Sequence, residues 1–392
     1  MIPPPPSNRA RYESFGGIIS STDSEPPFLA WVDQDFMREM GHAESPKWSE
    51  PNPKAHLSAP TEVHFSVTNK CSAGCKSCYM NSSKSFPEEL STSEMKKHMD
   101  TLREMGVFHV ALGGGEAFER LDFEEIVDHM NSIGLVPNLT TNAQNIGPHE
   151  LRIIAKMGQV NVSLDGVGDR YGVNGRQGSF LRAEAALVAM KKIQKRVGIN
   201  CVVSGKSYPY MAEVIEFADQ LGLNEVEFLR FKPQGRGKAH YLEHALTQEM
   251  MRDFYPTLLR IRAPFSVPIK IDCSFVPALV YHNPPREELE KLAVTGCDAG
   301  NLLLAVKSDG RFSGCSFVSN SEPISEIRER WDSSTHLNGF RDLVAQAPEP
   351  CRSCDYLSIC RTGCRAVALH LAGDFSAADP ECPKVFDHAR SK

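Results

Sequence analysis

From about residue 60 the chain alternates two kinds of hydrophobic pattern. Short runs rich in β-branched and aromatic residues recur at Val63–Val67 (VHFSV), Phe108–Leu112 (FHVAL), Val136–Thr141 (VPNLTT), Val160–Leu164 (VNVSL), Ile199–Val203 (INCVV) and Val226–Arg230 (VEFLR). Each has the length and composition of one strand. Between them apolar residues return every three or four positions, as one face of a helix requires. In STSEMKKHMDTLREMG, Ser91 and Glu94 form a capping box, Met95, Met99, Leu102 and Met105 share a face, and Gly106 supplies the stop. DFEEIVDHMNSIG and SFLRAEAALVAMKKIQ behave similarly. Six strands alternating with helices predict an α/β fold, a parallel sheet with helices outside. Six are too few for a full eight-stranded barrel. An open, partial (β/α)6 barrel and a doubly wound sheet both satisfy the pattern, and both gather ligands at the carboxyl ends of the strands.

The flanks read differently. Residues 1–10 are Pro-rich and polar and are expected to be disordered. Gly17–Ser20 and Phe28–Val32 predict a hairpin, and Asp33 caps a short helix to Met40. HAESPKWSEPNPKAHLSAP reads as a linker. After about residue 265 the rhythm stops, and the loop-rich remainder carries most of the other cysteines. That part is too poor in pattern to build a large core alone, and metal sites are the natural substitute. The expected parts are an N-terminal extension (1–57), the partial barrel (58–265) and a linker with a small cysteine-rich domain (266–392).

Composition narrows the partners. The 392 residues are 41% hydrophobic and 23% charged, with a formal net charge of −6, so the global field favours neither nucleic acid nor an anionic membrane. No apolar run reaches membrane-spanning length, and the opening MIPPPPSNRARYE lacks the apolar stretch of a signal peptide, so a cytoplasmic location is expected. In a reducing compartment, twelve cysteines point to metal ligands before disulfides.

Three of them fall in CSAGCKSCYM, just after the first barrel strand: Cys71, Cys75 and Cys78. Thiolates suit zinc or iron–sulfur clusters. Structural zinc takes four protein ligands. A CxxxCxxC triplet without a local fourth fits a 4Fe–4S cluster with one iron left open. The alternative is zinc with a distant fourth ligand.

The neighbouring strand ends add to this. The second strand ends ALGGGEAF, with Gly114, Gly115 and Glu116. The third runs into LTTNA, with Thr140, Thr141 and Asn142, and the fourth ends VSLDG, with Ser163 and Asp165. By themselves Asn142 and Asp165 are turn residues. Together with the cysteine loop, the chain resembles the radical S-adenosylmethionine (SAM) superfamily. The resemblance implies a partial TIM-like barrel whose Cys71, Cys75 and Cys78 hold a 4Fe–4S cluster that binds SAM. It implies that Gly114 and Gly115 let backbone approach the methionine part of SAM, and that Glu116 accepts from its ammonium. Thr141, Asn142, Ser163 and Asp165 would hold the ribose and carboxylate, with Arg176 of NGRQGSF near the carboxylate. Arg230 and the following KPQGRG would close the sixth strand over the same opening. The chain departs from the family in one place: an aromatic usually precedes the third cysteine, where this chain has Ser77, with Tyr79 following Cys78.

The C-terminal cysteines run Cys297-x12-Gly310-x4-Cys315, then Cys351-x2-Cys354-x5-Cys360-x3-Cys364, and Cys382 after seventeen more residues. This order resembles the SPASM (twitch-type) domain that follows many radical SAM cores and holds two auxiliary iron–sulfur clusters. SEIRERWDSSTHLNGFRDL resembles its linker around a tryptophan, Trp331. The resemblance assigns Cys351, Cys354, Cys360 and Cys382 to one auxiliary cluster, and Cys297, Cys315 and Cys364 to the other. The second often has an eighth cysteine a few residues after the first; that stretch here reads NLLLAVK. An open iron, a non-cysteine ligand or a distant thiol such as Cys273 remain as options. Cys273 and Cys201 otherwise read as buried apolar cysteines.

The implied chemistry is reductive cleavage of SAM to a 5′-deoxyadenosyl radical, which takes hydrogen from an unactivated carbon. Through GGGE, VSLDG, NGRQGSF and LRFKPQGRG the core most resembles the mycofactocin and pyrroloquinoline-quinone (PQQ) peptide maturases, over about residues 60–385. That implies an oxidoreductase that crosslinks, decarboxylates, epimerises or oxidises a ribosomally made peptide. The implied partners are the peptide or protein substrate, an electron donor such as flavodoxin or ferredoxin, and a leader-peptide-binding protein. Residues 1–57 lie outside the resemblance and serve either to capture a leader peptide by strand addition or as a brace. Sulfatase maturases usually place an aspartate, a proposed base, immediately after the cysteine that Cys315 matches; Ser316 stands there, which weakens a formylglycine assignment and leaves no named base. The competing readings are a radical SAM enzyme acting on a partner enzyme or small molecule, and a zinc-stabilised binding protein.

Overall fold

The computed structural model describes residues 8–391 apart from 23, 25–26, 53–55, 86–87, 194, 292–293 and 320–321. Three N-terminal strands come first: β1 (Asn8–Glu13), β2 (Gly16–Ser21) and β3 (Phe28–Asp33), an antiparallel sheet in that order. Helix α1 (Gln34–Glu39) follows, with the Asp33 side chain accepting from Phe36 N. The predicted hairpin and cap are therefore present. Part of the predicted disorder is not: Asn8–Ala10 are strand, while residues 1–7 lie outside the described residues.

The central strands are β4 (Glu62–Thr68), β5 (His109–Gly114), β6 (Val136–Thr141), β7 (Gln159–Ser163), β8 (Arg196–Val203) and β9 (Glu225–Arg230). All six predicted strands are present, within three residues of their expected ends. Alternation explains them: Val63, Phe65 and Val67 point into the core, and the residues between do not. The helices are α2 (Thr92–Glu104), α3 (Phe123–Ser132), α4 (Pro148–Ile154), α5 (Phe180–Lys192) and α6 (Met211–Gln220). Both halves of the Ser91–Glu94 capping box form, and Met95, Met99 and Leu102 are fully buried.

The strands are parallel, and β4 to β9 follow one another across the sheet in chain order. A doubly wound sheet reverses direction part-way across. This one does not, so the open barrel is the correct alternative of the two. All carboxyl ends lie on one edge.

The strand–helix rhythm stops near residue 265, but the sheet does not end there. β10 (Ile269–Ile271) adds in parallel beside β9. β11 (Leu303–Val306) adds in parallel on the other side, against β4. β12 (Arg311–Ser313) and β13 (Glu322–Pro323) continue that side antiparallel. Leu304, Val306, Phe312, Ile324, Ile327, Trp331 and Leu337 join the same hydrophobic core as the barrel strands. Trp331 is buried, its Nε1 donates to Leu57 O at 2.8 Å, and the Arg341 guanidinium lies 4.6 Å from its ring centroid.

β1 fastens the N-terminal sheet to the amino end of the barrel. Arg9 donates to Val107 O (2.8 Å) and Gly134 O (2.9 Å), and Arg11 to Pro60 O (2.9 Å). Both guanidinium groups lie near the Phe108 ring, at 5.2 and 5.3 Å.

Trp331→Ala is expected to lower the unfolding free energy by about 3–5 kcal/mol, the usual cost of emptying a buried tryptophan site. Denaturant titration measures it, and a loss below about 1 kcal/mol would remove the ring from the core.

Candidate functional site

The segment after β4 carries Cys71, Cys75 and Cys78 on a loop held at several points. Cys71 N donates to Ser83 O (3.1 Å) and Ser83 N to Asn69 O (3.1 Å). Glu89 accepts from Asn69 N (2.6 Å) and Thr68 Oγ1 (3.0 Å). Glu119 Oε1 accepts from Ser72 N and Oγ, both at 2.7 Å. From the loop after β9, Arg236 donates through Nε to Cys75 O (2.8 Å) and through Nη1 to Ser82 O (2.8 Å), while its backbone N donates to Cys78 O (2.9 Å). Neither Arg236 nor Glu119 was singled out from sequence. Arg236 belongs to the quoted KPQGRG, and its place at a strand end was the available signal.

The glycines after β5 serve this loop first. A Cβ at Gly114 would stand 2.5 Å from Thr68 O, and one at Gly115 only 2.0 Å from Lys70 O. Gly115 N and Glu116 N bond to those same carbonyls, at 2.7 and 2.8 Å. The neighbouring Gly113 has nothing within 4 Å of its Cβ position, and it is the glycine that faces open space.

Glu116 is buried beneath the loop. Its Oε1 accepts from Thr141 Oγ1 and its Oε2 from Asn142 N, each at 2.8 Å. Burial pushes its carboxyl up to about 7, and the donors from Asn142, Thr141 and Phe118 only partly offset that. Asn142 also makes a turn, its Oδ1 accepting from Gln144 N at 2.9 Å. Ser163 ends β7 opposite Asn200. Asp165 Oδ1 accepts from Val202 N and Arg176 Nη2, both at 3.1 Å. Burial opposes the charge of Arg176, but the adjacent Asp165 outweighs it and raises the pKa. Arg176 Nε is buried and has no partner. The adjacent Gln177 N donates to Cys75 Sγ at 3.3 Å, and Gly175 O accepts from Lys76 N at 2.9 Å. The structure thus brings the cysteine loop, the Glu116–Thr141–Asn142 group and the Asp165–Arg176 pair to one edge.

Arg230 departs from expectation. It does not line the opening: its side chain is buried, bonded to Ser274 O (2.9 Å), Asp379 (2.8 Å) and Glu381. Asp379 in turn accepts from Cys364 N at 3.0 Å. Tyr79 packs on Phe317, with ring centroids 4.8 Å apart, and so links the first cysteine loop to the segment after Cys315.

The C-terminal thiols form two groups. Cys351, Cys354, Cys360 and Cys382 lie within electrostatic reach of one another. So do Cys297, Cys315 and Cys364. Burial pushes Cys351 and Cys315 up to about 12, and Cys71, Cys297 and Cys382 up to about 11. A bound metal is a cationic centre that favours the thiolate of such buried groups.

The donor set fits iron–sulfur ligation. Backbone amides point at the sulfurs, from Ser82 to Cys78 (3.5 Å), Gln177 to Cys75 (3.3 Å) and Phe317 to Cys315 (3.5 Å), and such bonds favour the thiolate. Among the described residues no three His, Cys, Asp or Glu side chains close on one point as the ligands of a single ion do. In a four-iron cube each thiolate takes its own iron, so its ligands stand wider apart. The unpaired Arg176 Nε beside Cys75 offers a donor to an anionic ligand group.

Residues 65–218 match the family model of the radical SAM superfamily. The chain carries a radical SAM domain. It is 28% identical over 360 residues to PqqA peptide cyclase of Ruegeria pomeroyi, covering 86% of this chain and 90% of that one. It is 28% identical over 340 residues to mycofactocin maturase MftC of Mycolicibacterium smegmatis, covering 83% of each. The fold is that of Streptococcus suis SuiB, solved bound to its precursor peptide SuiA, with a TM-score of 0.74, 17% identity, and 96% and 98% of the two chains covered. The cofactors of the radical SAM family are a 4Fe–4S cluster and SAM, and auxiliary clusters are typical of its SPASM-type members.

Arg236→Ala is expected to leave the fold intact by circular dichroism. Anaerobic reconstitution should then show the loss of about four irons relative to wild type, since this clamp holds the first cysteine loop alone. Unchanged iron content would show the clamp to be dispensable.

Proposed function

We propose that this chain is a radical SAM peptide maturase: an enzyme that binds SAM at the carboxyl edge of the barrel and modifies a ribosomally made peptide. The observation that carries the reading is the convergence of Cys71, Cys75 and Cys78 with Glu116, Thr141, Asn142, Asp165 and Arg176. When bound, the cluster and SAM supply a carbon-centred radical able to take hydrogen from an unactivated carbon.

The chain's own residues bind and orient. The buried carboxyl of Glu116 ionises as a cation approaches, and the amino group of SAM is one such cation. Thr141 and the Asn142 amide hold that carboxylate in place. Arg176, paired with Asp165, would offer its unpartnered Nε to the carboxylate of SAM. Gly113 leaves room for a ligand to approach the backbone. Two auxiliary clusters, on the two C-terminal thiol groups, would pass an electron to or from the substrate, and flavodoxin or ferredoxin would supply the first electron.

The peptide reading draws on the relatives, whose names are those of peptide cyclases and maturases. It also draws on the N-terminal sheet. Its order is β1-β2-β3, so β3 is an edge. Phe28 and Trp31 on β3, and Phe36 and Met40 on or just after α1, are exposed. A strand edge flanked by aromatic side chains is how extended peptides are held by strand addition. β1 braces the sheet, so the two suggested roles of residues 1–57 are compatible. No helix among the described residues is long and apolar enough to cross a membrane. A cytoplasmic location is part of the proposal.

Oxygen-protected, reconstituted and reduced protein is expected to make 5′-deoxyadenosine from SAM. Failure with all clusters filled overturns the enzyme reading. Co-expression with candidate precursor peptides should give a fixed mass change by mass spectrometry, whereas turnover only of small molecules or a partner enzyme overturns the peptide assignment. The double variant Phe28→Ala, Trp31→Ala should weaken precursor binding about tenfold or more while SAM cleavage without peptide stays unchanged. Unaltered binding places the peptide elsewhere.

A further inference from the structure

We propose that Cys273 is the fourth protein ligand of the auxiliary cluster held by Cys297, Cys315 and Cys364, so that this cluster has no open iron. The inference rests on the reading that these thiols hold iron–sulfur, and it adds the residue that completes the set.

The position where an eighth cysteine is expected is occupied by structure. Leu303–Val306 is β11, paired to β4, with Leu304 and Val306 buried in the barrel core. The stretch from 301 to 307 offers no thiol. The ligand must therefore come from another element.

Cys273 lies on the right element. It opens the single 3-10 turn Cys273–Phe275 at the carboxyl end of β10. Asp272 N bonds to Phe228 O at 3.0 Å, which fixes where the turn begins. Two independent tethers then bind this turn to the other three thiols. In the first, Arg230 Nη1 holds Ser274 O at 2.9 Å and Asp379 at 2.8 Å, and Asp379 accepts from Cys364 N at 3.0 Å. One guanidinium thus spans the residue after Cys273 and the amide of Cys364. In the second, Lys232 is ion-paired to Asp272, and its Nζ lies 4.5 Å from the centroid of Phe317, two residues beyond Cys315. The sulfur of Cys273 lies within electrostatic reach of Cys297 and Cys364.

The chemistry selects the thiol over its neighbours. Asp272 is already committed to Lys232 and to the Ser274 amide, at 2.7 Å for the latter. Lys232 is a cation held charged by that aspartate, so it cannot ligate iron, but it offsets the negative charge of a fully thiolate-bound cube. Cys201, the remaining cysteine, is buried beside Asp165 and Arg176, away from these thiols. With Cys273 assigned, eleven of the twelve cysteines fall into sets of three, four and four. The set of three is the one at the SAM edge.

The test is anaerobic reconstitution of the full chain as wild type, Cys273→Ser and Cys201→Ser, with iron and sulfide counted and EPR spectra taken. Wild type and Cys201→Ser should hold about 12 irons, and Cys273→Ser about 11 with a new 3Fe–4S signal, or about eight if the cube is lost. The SAM-induced change in the first cluster's EPR signal should persist in Cys273→Ser, showing a folded barrel. Full iron with an unaltered auxiliary spectrum in Cys273→Ser overturns the assignment. A wild type that never exceeds about eight irons overturns the cluster itself, and the ligand with it. If Cys273→Ser does not fold, the wild type decides alone. With SAM saturating the first cluster, added imidazole should leave the auxiliary signals unchanged, and a shift of those signals reveals an open iron and overturns the proposal.

Discussion

The buried guanidinium of Arg230 sets the relation between the two chemical parts of this molecule. It closes β9, so the sheet fixes where it starts, and its donors end on Asp379, Glu381 and the Ser274 carbonyl, which fixes what it holds. Burying such a charge is costly unless its donors meet carboxylates or carbonyls in good geometry. That requirement leaves the C-terminal segment little freedom to slide along the barrel rim. Asp379 then passes the constraint to the Cys364 amide, and the turn that follows it carries Cys382.

A second constraint is the common direction of the strands. Because β4 to β9 all run one way, the loops that carry Cys71, Cys75, Cys78, Glu116, Asn142 and Asp165 open at the same edge. The N-terminal sheet is fastened at the opposite end, where Arg9 and Arg11 reach the carbonyls before β4 and β5. A peptide held on β3 must therefore cross the side of the barrel to reach the thiols. This separation suits a substrate with one segment for recognition and another for reaction.

Much of this was legible in the sequence because each central strand alternates strongly enough to announce itself, and because cysteine spacing survives without structure. What escaped was decided by tertiary contact. NRARYE looks like a polar tail, yet it is a strand, since the charges of Arg9 and Arg11 find carbonyls and a glutamate no local pattern discloses. β10, β11 and β12 are three or four residues long and form only because a longer neighbour offers its edge. The motif around Gly114 and Gly115 suggests room for a ligand, but the space they leave is filled by the chain's own carbonyls. Arg236 sits among glycines, and only the fold shows that it clamps the cysteine loop.

The seating of β11 against β4 also dictates an order of events in the cell. The carbonyl of Leu302 meets Thr61 across a separation of 241 residues, so the first barrel strand waits for a partner made long after it. During synthesis the nascent barrel keeps that flank unpaired, and its earliest thiols stay on an unfinished scaffold. The flank of the strand that leads into the first cysteine loop is thereby completed only once residues 303–306 have been made.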